Sequence, residues 1–426
     1  MRKNFLWYHA IRYGVAGTGL KLFYKKIRID NKKKVYKDKP LLLVPNHQNS
    51  FMDAMLITTN LHRSTSFLTR AKAFNTPFMN WFLRSLNMLP VYRVRDGMSS
   101  IQKNNAIFQR CVDLLSDNEC VLIFAEANHD LRRRLRPLSK GFTRIAFDAE
   151  IQNNWELDLY IQPVGVNYSD HQLSRNEVRV VYGDPIRVAD FKDIYEEDER
   201  KAANALKNAV AENLKPIIMH VQKLDQYPLA KVALDELEPV RKKVADPEYM
   251  NALVAKVEAD HTPELIQTAE EILETASEYD LNIRRIADVK KPRWKQILLA
   301  PLYFLVWINN VIPYQPVRSV VRDKIKDKAF DASIKFVLGL TLFPLFYLFV
   351  TIILLIAGVP FWYTLGYLAF SLATSTMFKS GNEVLRDFKQ NKKIKEFSSK
   401  HPEVYNTLVK KIKTIQNYRE RLVSSE

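Results

Sequence analysis

The stretch VPNHQNSFMDA, residues 44–54, sets His47 six positions ahead of Asp53, straight after an apolar run. Imidazole is the side chain best matched to taking a proton near neutral pH, and a carboxylate can orient it and stabilise its charged form. Six positions along one continuous helix would rotate Asp53 by roughly 600°, away from His47. The two can meet only if His47 lies in the turn before a helix and Asp53 inside its first turns. Asn49 or Ser50 would then cap that helix. The pair alone is also compatible with a buried histidine and an unrelated aspartate.

Three further stretches carry chemistry. In PVYRVR, residues 90–95, Arg93 stands at the end of an expected strand, where a guanidinium fork suits a phosphate; Arg95 and Arg70 are alternatives. In FAEANHDLRRRLRPLSKG, residues 124–141, Glu126 follows the apolar VLIF after one alanine and could accept a bond from a substrate hydroxyl or orient an arginine. Asn128, His129 and Asp130 follow it, then Arg132, Arg133, Arg134 and Arg136, most of which read as a solvated or membrane-facing loop. Lys140 opens the next helix, whose unpaired amides and dipole favour an anion. In YIQPVGVNYS, residues 160–169, Pro163 and Val164 are expected to break or end a strand and could shape an apolar pocket wall. No histidine–carboxylate spacing reads as a metal-ligand set.

Residues 35–190 alternate short apolar strands with amphipathic helices. This predicts an α/β fold, a mixed sheet with flanking helices, in which the four stretches fall just after strand ends. Residues 191–290 contain no glycine and space Leu206, Val210, Leu214 and Ile217 at helical intervals, so a helical region follows. His220 and His261 read there as helix-surface residues.

Residues 291–380 hold membrane segments. FVLGLTLFPLFYLFVTIILLIA, 336–357, is uncharged and long enough to span a bilayer, and the apolar stretch 361–378 follows after three residues. Together they predict a C-terminal transmembrane helical hairpin. Basic flanks, Arg318 to Lys328 before and Lys379 to Lys393 after, put both ends on the cytoplasmic side. The broken stretch 297–313 reads as interfacial or re-entrant, and residues 381–426 as a basic helical tail.

Net charge is +17, with 64 Lys and Arg against 47 Asp and Glu. An anionic partner follows, and the lack of a recognisable nucleic-acid module favours lipid over nucleic acid. Residues 1–34 interleave basic residues with Phe5, Leu6, Trp7, Tyr8, Leu20, Phe23 and Tyr24, the pattern of a basic amphipathic helix at a membrane surface. No secretory signal is read at the N-terminus. The two cysteines, Cys111 and Cys120, form neither a zinc spacing nor a disulfide framework, which favours a reducing compartment.

Taken in order, the four stretches resemble the glycerolipid acyltransferase family, the glycerol-3-phosphate and lysophosphatidate acyltransferases. NHQN, FAEANHD, PLSKG, VGVNY and YGDPI are most similar to its branch of fungal-type glycerol-3-phosphate acyltransferases and their bacterial relatives. The resemblance covers roughly residues 35–190. It implies His47 as general base and Asp53 as its partner, Arg93 and Lys140 on the acceptor's phosphate, Glu126 positioning the acceptor, and Asn128 and His129 as further contacts. Five residues separate His47 from Asp53 where the family has four. Ala125 and Ala127 stand where it has proline and glycine.

The reaction implied is direct acyl transfer from acyl-CoA or acyl-carrier protein to a hydroxyl of glycerol-3-phosphate or lysophosphatidate. It needs no covalent intermediate and no cofactor beyond the acyl donor. Membrane lipids are the expected surroundings, with the catalytic domain on the cytoplasmic face and a bacterial inner membrane favoured. The altered third block keeps another acceptor open, an amino-acid lipid or a different lysolipid. A non-catalytic lipid-binding protein on this fold is the remaining alternative.

Overall fold

A computed structural model of the chain describes residues 5–92, 98–126, 128–237, 243–287, 298, 300–375 and 377–424. Its centre is a mixed sheet of eight strands: β1 Lys26–Asp30, β2 Leu41–Pro45, β3 Thr65–Arg70, β4 Met88–Val91, β5 Cys120–Leu122, β6 Tyr160–Tyr168, β7 Glu177–Tyr182 and β8 Ile186–Arg187. The strand order is β1-β7-β6-β2-β5-β3-β4, with β8 pairing onto β6. β6, β2, β5, β3 and β4 run parallel, so their carboxyl ends share one edge. Only β7 and β8 pair antiparallel with β6. The expected mixed α/β sheet with flanking helices is the fold observed.

β2 shows why the sheet is covered on both faces. All five of its residues are buried, as a continuous apolar run in a central parallel strand requires. Leu41 and Leu43 join one layer with Leu56 of helix α1 (Phe51–Asn60) and Leu83 of α2 (Pro77–Ser85). Leu42 and Val44 join the other, with Val112 of α3 (Met98–Ser116), Phe142 of α4 (Gly141–Gln152) and Leu206 of α5 (Glu199–Leu214).

Three expectations change at this level. The N-terminal helix ends at Phe23, because the alternating KIRID then pairs in register with β7 as an edge strand. Pro163 does not break its strand. β6 runs through it, and the missing N–H falls between the register with β8 and the register with β7, where its carbonyl still accepts from Gly183 (2.9 Å). His220 lies in a loop after the helix and its Nδ1 accepts the amide of Leu135 at 3.0 Å, while His261 lies between helices beside Gln226.

Beyond the sheet the chain is helical. Leu229, Val257 and Ile272 form a second core with Leu408, Ile412, Ile415 and Tyr418 of the last helix, Pro402–Ser424, so the C-terminal end returns to pack on the middle of the chain. Between them come α6 (Ala300–Ser319), α7 (Asp331–Ile356) and α8 (Phe361–Thr374). Among the described residues one helix, Lys328–Ile356, is long and apolar enough to cross a membrane, with mean hydropathy 2.5. α8 is 14 residues long and turns back along it after Gly358, whose φ is +78°. Side-chain amides join the three helices. Asn309 donates to Ser371 and accepts from Tyr367, both at 3.0 Å, and Tyr347 donates to Asn310.

Gly165 in β6 is required by a close approach. A Cβ there would lie 2.1 Å from the carbonyl oxygen of Ile217, a backbone atom that cannot swing away. Gly165→Ala is expected to destabilise the protein by about 1–3 kcal/mol, read as a lowered thermal unfolding midpoint of the full chain in detergent.

Candidate functional site

The site is assembled at the shared carboxyl edge, beginning with Asn46. This residue is fully buried, and its side chain acts as one more strand position. Oδ1 accepts the amide of Val166 (2.7 Å) and Nδ2 donates to the Val166 carbonyl (3.2 Å). The next residue, His47, is thereby fixed where β2 ends. Its amide donates to Glu126 Oε1 (3.2 Å) and its carbonyl accepts from the Asp130 amide (3.1 Å). The ring of Phe124 stacks on the imidazole at 3.8 Å.

The chain then reverses tightly. The Asn49 carbonyl accepts from Met52 N–H at 3.0 Å, and Ser50 has φ +48° and ψ −127°, the geometry of the first central residue of a type II′ turn. That reversal closes five intervening residues onto one pair. Asp53, in the first turn of α1, is fully buried and its Oδ2 lies 2.9 Å from His47 Nδ1. Ser50 stands at the cap position without capping through its side chain. Asp53 instead holds the loop ahead of the helix, its Oδ2 accepting the amides of Gln48 (3.0 Å) and Asn49 (2.8 Å).

Asp53 Oδ1 accepts from the Tyr168 hydroxyl at 2.5 Å. Burial, then the adjacent Asp53 charge, pushes the Tyr168 phenol well above its ordinary range, so it stays a donor. Both carboxylate oxygens are thus occupied by donors, which an isolated buried carboxylate needs. With Nδ1–H committed to Asp53, the lone pair of His47 lies on Nε2, which no described residue holds. Burial lowers the imidazole's proton affinity below its ordinary value, with Asp53 opposing. The ring is therefore neutral at pH 7 and able to accept a proton.

Glu126 is nearly fully buried and orients an arginine. Arg136 Nε donates to its Oε2 (3.0 Å) and Arg136 Nη2 to its backbone carbonyl (3.1 Å). Burial pushes the Glu126 carboxyl up to about 7 in spite of that partner. The arginine run is therefore less solvated than expected. Arg133 is also buried, donating to the Tyr168 carbonyl (2.8 Å) and paired with Asp235 (3.0 Å), because its guanidinium bridges β6 to the helical region.

His129 comes to the same place, its ring edge-on to His47 at 5.6 Å. Asn128 is exposed, and its amide donates to the Glu126 carbonyl at 2.7 Å. Lys140 is exposed at the start of α4, brought beside the third stretch by the Ser139 amide, which donates to the Ala125 carbonyl (2.7 Å). Arg93 and Arg95 lie outside the described residues. Arg70 ends β3 level with Val91 of β4, its buried Nε without a partner among the described residues. Among those residues no group of three or more His, Cys, Asp or Glu could hold a metal ion.

Three contributors escaped the sequence reading: Asn46, Tyr168 and His171. His171 Nε2 lies 3.0 Å from Gln48 Oε1, and its carbonyl accepts from Asn49 Nδ2 (2.8 Å), bracing the loop that follows His47. Each acts across more than one strand or loop, and nothing local in the sequence marks it.

Residues 26–167 match the family model described as Acyltransferase. The matched segment runs from the start of β1 into β6 and contains His47, Asp53 and Glu126. No curated protein matches the chain. Among solved structures the chain is similar to the crystal structure of the 1-acyl-sn-glycerophosphate (LPA) acyltransferase from Thermotoga maritima, at 19% identity and a TM-score of 0.35, over 50% of this chain and 84% of that one.

Tyr168→Phe removes a donor from Asp53 and leaves Oδ1 buried without it, a loss of about 1–3 kcal/mol. The expected outcome is a lowered unfolding midpoint, and a fall in whatever turnover depends on His47 that exceeds the fall for Tyr182→Phe. Tyr182 is an equally buried tyrosine that makes no bond to Asp53.

Proposed function

We propose that the protein is a membrane-bound O-acyltransferase of glycerolipid synthesis, transferring a fatty acyl group from acyl-CoA or acyl-carrier protein to a hydroxyl of glycerol-3-phosphate or lysophosphatidate. The observation that carries this reading is the buried Asp53 carboxylate bonded to His47 Nδ1, with Nε2 left open. The acyltransferase match over residues 26–167 supports it.

His47 Nε2 takes the proton of the acceptor hydroxyl as its oxygen attacks the thioester carbonyl. The tetrahedral intermediate collapses with cleavage of the carbon–sulfur bond, and the imidazolium returns the proton to the departing thiolate. Asp53 holds the ring in the reactive tautomer and faces the charge that forms on it. No serine or cysteine nucleophile is needed; Cys111 and Cys120 are buried, and burial pushes their thiols up to about 12 and about 11. Arg93 and Lys140 take the acceptor's phosphate, with Asn128 and His129 as further contacts. Glu126 positions the acceptor through Arg136. The fungal-type glycerol-3-phosphate acyltransferases and their bacterial relatives remain the branch this reading favours.

A bilayer setting fits the exposed apolar surface. Phe349, Ile356 and Trp362 of the α7–α8 pair are exposed, and so are Leu6, Phe78 and Trp81. Exposed apolar area on this scale marks an interaction surface. In this reading α7 and α8 form a membrane hairpin with basic flanks on the cytoplasmic side of a bacterial inner membrane, α6 packs against them, and the N-terminal helix rests on the lipid surface.

The test is mass-spectrometric detection of product from purified full-length protein in detergent, offered both donors with glycerol-3-phosphate, lysophosphatidate and a crude lysolipid extract. His47→Ala is expected to lower turnover by about 10²–10⁴-fold, the usual worth of a general base. Product formed equally by both proteins contradicts the assignment. The pH profile has a fixed sign. kcat/KM is expected to rise with pH, through the region around pH 7 as Glu126, pushed up to about 7, ionises against Arg136, and at more acid pH as His47, its proton affinity lowered by burial, loses its proton.

A further inference from the structure

His129 bridges two parts of the chain that lie far apart in sequence. One edge of its ring faces His47. Its Nε2 lies 2.7 Å from Oδ2 of Asp327, and its ring meets Phe330 edge-on at 4.7 Å. Asp327 and Phe330 belong to the turn that leads into the apolar helix α7, 198 residues beyond His129 for the aspartate. The root of the apolar helix therefore forms one wall beside the candidate base.

Both oxygens of Asp327 are used. Oδ1 accepts the amide of Ala329 at 3.0 Å, which caps the short turn over Lys328–Phe330. A helix cap alone would leave Oδ2 to solvent, yet Oδ2 faces the imidazole, whose side chain is only 13% exposed. Burial works against ionisation of Asp327. The hydrogen bonds from His129 and from the Ala329 amide outweigh it and hold the carboxyl below its ordinary range. Among the described residues, titratable groups that act on the pair include His47, beside His129, and Asp130, near Asp327; Arg136 also acts on His47.

An anionic carboxylate at hydrogen-bond distance fixes the orientation of an imidazole and selects which ring nitrogen faces away from it. With Nε2 turned to Asp327, Nδ1 is the ring nitrogen left to face a ligand, and no described residue takes it. An imidazole fixed 5.6 Å, ring to ring, from the base is placed to meet a polar group on the molecule whose hydroxyl the base deprotonates.

We propose that Asp327 is a positioning residue of the acceptor site: from the root of the apolar helix it holds the His129 imidazole oriented toward the acceptor's phosphate monoester. The role rests on the acyltransferase reading of the His47 site. It makes that site a composite of the sheet domain and the C-terminal helices.

Asp327→Asn is the informative change, because the amide oxygen keeps the Ala329 cap while the charge on His129's partner is lost. Full-length protein in detergent is titrated calorimetrically with glycerol 3-phosphate and with lysophosphatidate, as wild type, Asp327→Asn and the double variant Asp327→Asn/His129→Arg. An arginine carries its charge without a carboxylate. Asp327→Asn is expected to weaken binding of the acceptor about tenfold, the ordinary worth of one charge-assisted hydrogen bond. Acceptor KM rises by a similar factor, kcat and donor KM stay nearly unchanged, and the double variant regains most of the loss. The proposal is overturned by equal acceptor binding in wild type and Asp327→Asn, by a loss confined to kcat or to donor KM, by a loss the arginine does not recover, or by a wild type that binds neither acceptor. Acceptor binding that follows the expected pattern with no acyl transfer upholds the role of Asp327 and removes the acyltransferase reading.

Discussion

Everything at the site depends on supplying one buried carboxylate with hydrogen-bond donors. Asp53 lies fully inside the protein, where an unpaired charge would cost several kcal/mol. The fold answers with four donors: the imidazole Nδ1–H, two amides of the loop after His47, and the Tyr168 hydroxyl. Each comes from a different constraint. The amides need the tight reversal at Ser50, the imidazole needs His47 held at the end of β2, and the hydroxyl needs β6 to continue past Pro163. Weakening any one moves the proton affinity or the orientation of His47. For this reason the parts of the sheet around β2 and β6 belong to the chemistry as much as to the core.

The alternation of strands and helices was legible from hydrophobic period alone, and so was the requirement that His47 precede a helix containing Asp53. Spacing could not say how five intervening residues close the pair. The answer is a positive φ at a serine, a conformation that no glycine in the sequence announces. Pro163 misled for a related reason. Its missing donor is tolerated because β6 exchanges one antiparallel neighbour for another there, which is a property of the sheet and not of the strand. Glu126 showed its apolar lead-in and two possible roles, and the structure selects the orientation of Arg136. Tyr168, Asn46 and His171 could not be found in sequence, because their partners are made by strand order.

The helical half of the chain is not a passive appendage. The last helix packs into the core of the region after the sheet, and the buried pair Arg133–Asp235 ties that region to β6 beside Tyr168. The root of the apolar helix meets His129. One connection reaches Tyr168, the donor to Asp53, and the other reaches His129, beside His47. The position of the helices and the geometry of the site are therefore linked through named side chains, which gives a physical route by which a bilayer could affect turnover.

The central claim is a protonation state: His47 neutral at pH 7, with its hydrogen on Nδ1 facing Asp53 and its lone pair on Nε2. Nitrogen-15 NMR of protein labelled at its eight histidines, assigned by comparison with His47→Gln, reads this directly. A neutral ring protonated on Nδ1, turning into imidazolium only below the ordinary histidine range, is the predicted result. A ring protonated on Nε2, or already imidazolium at pH 7, would leave no base facing the substrate and contradict the account.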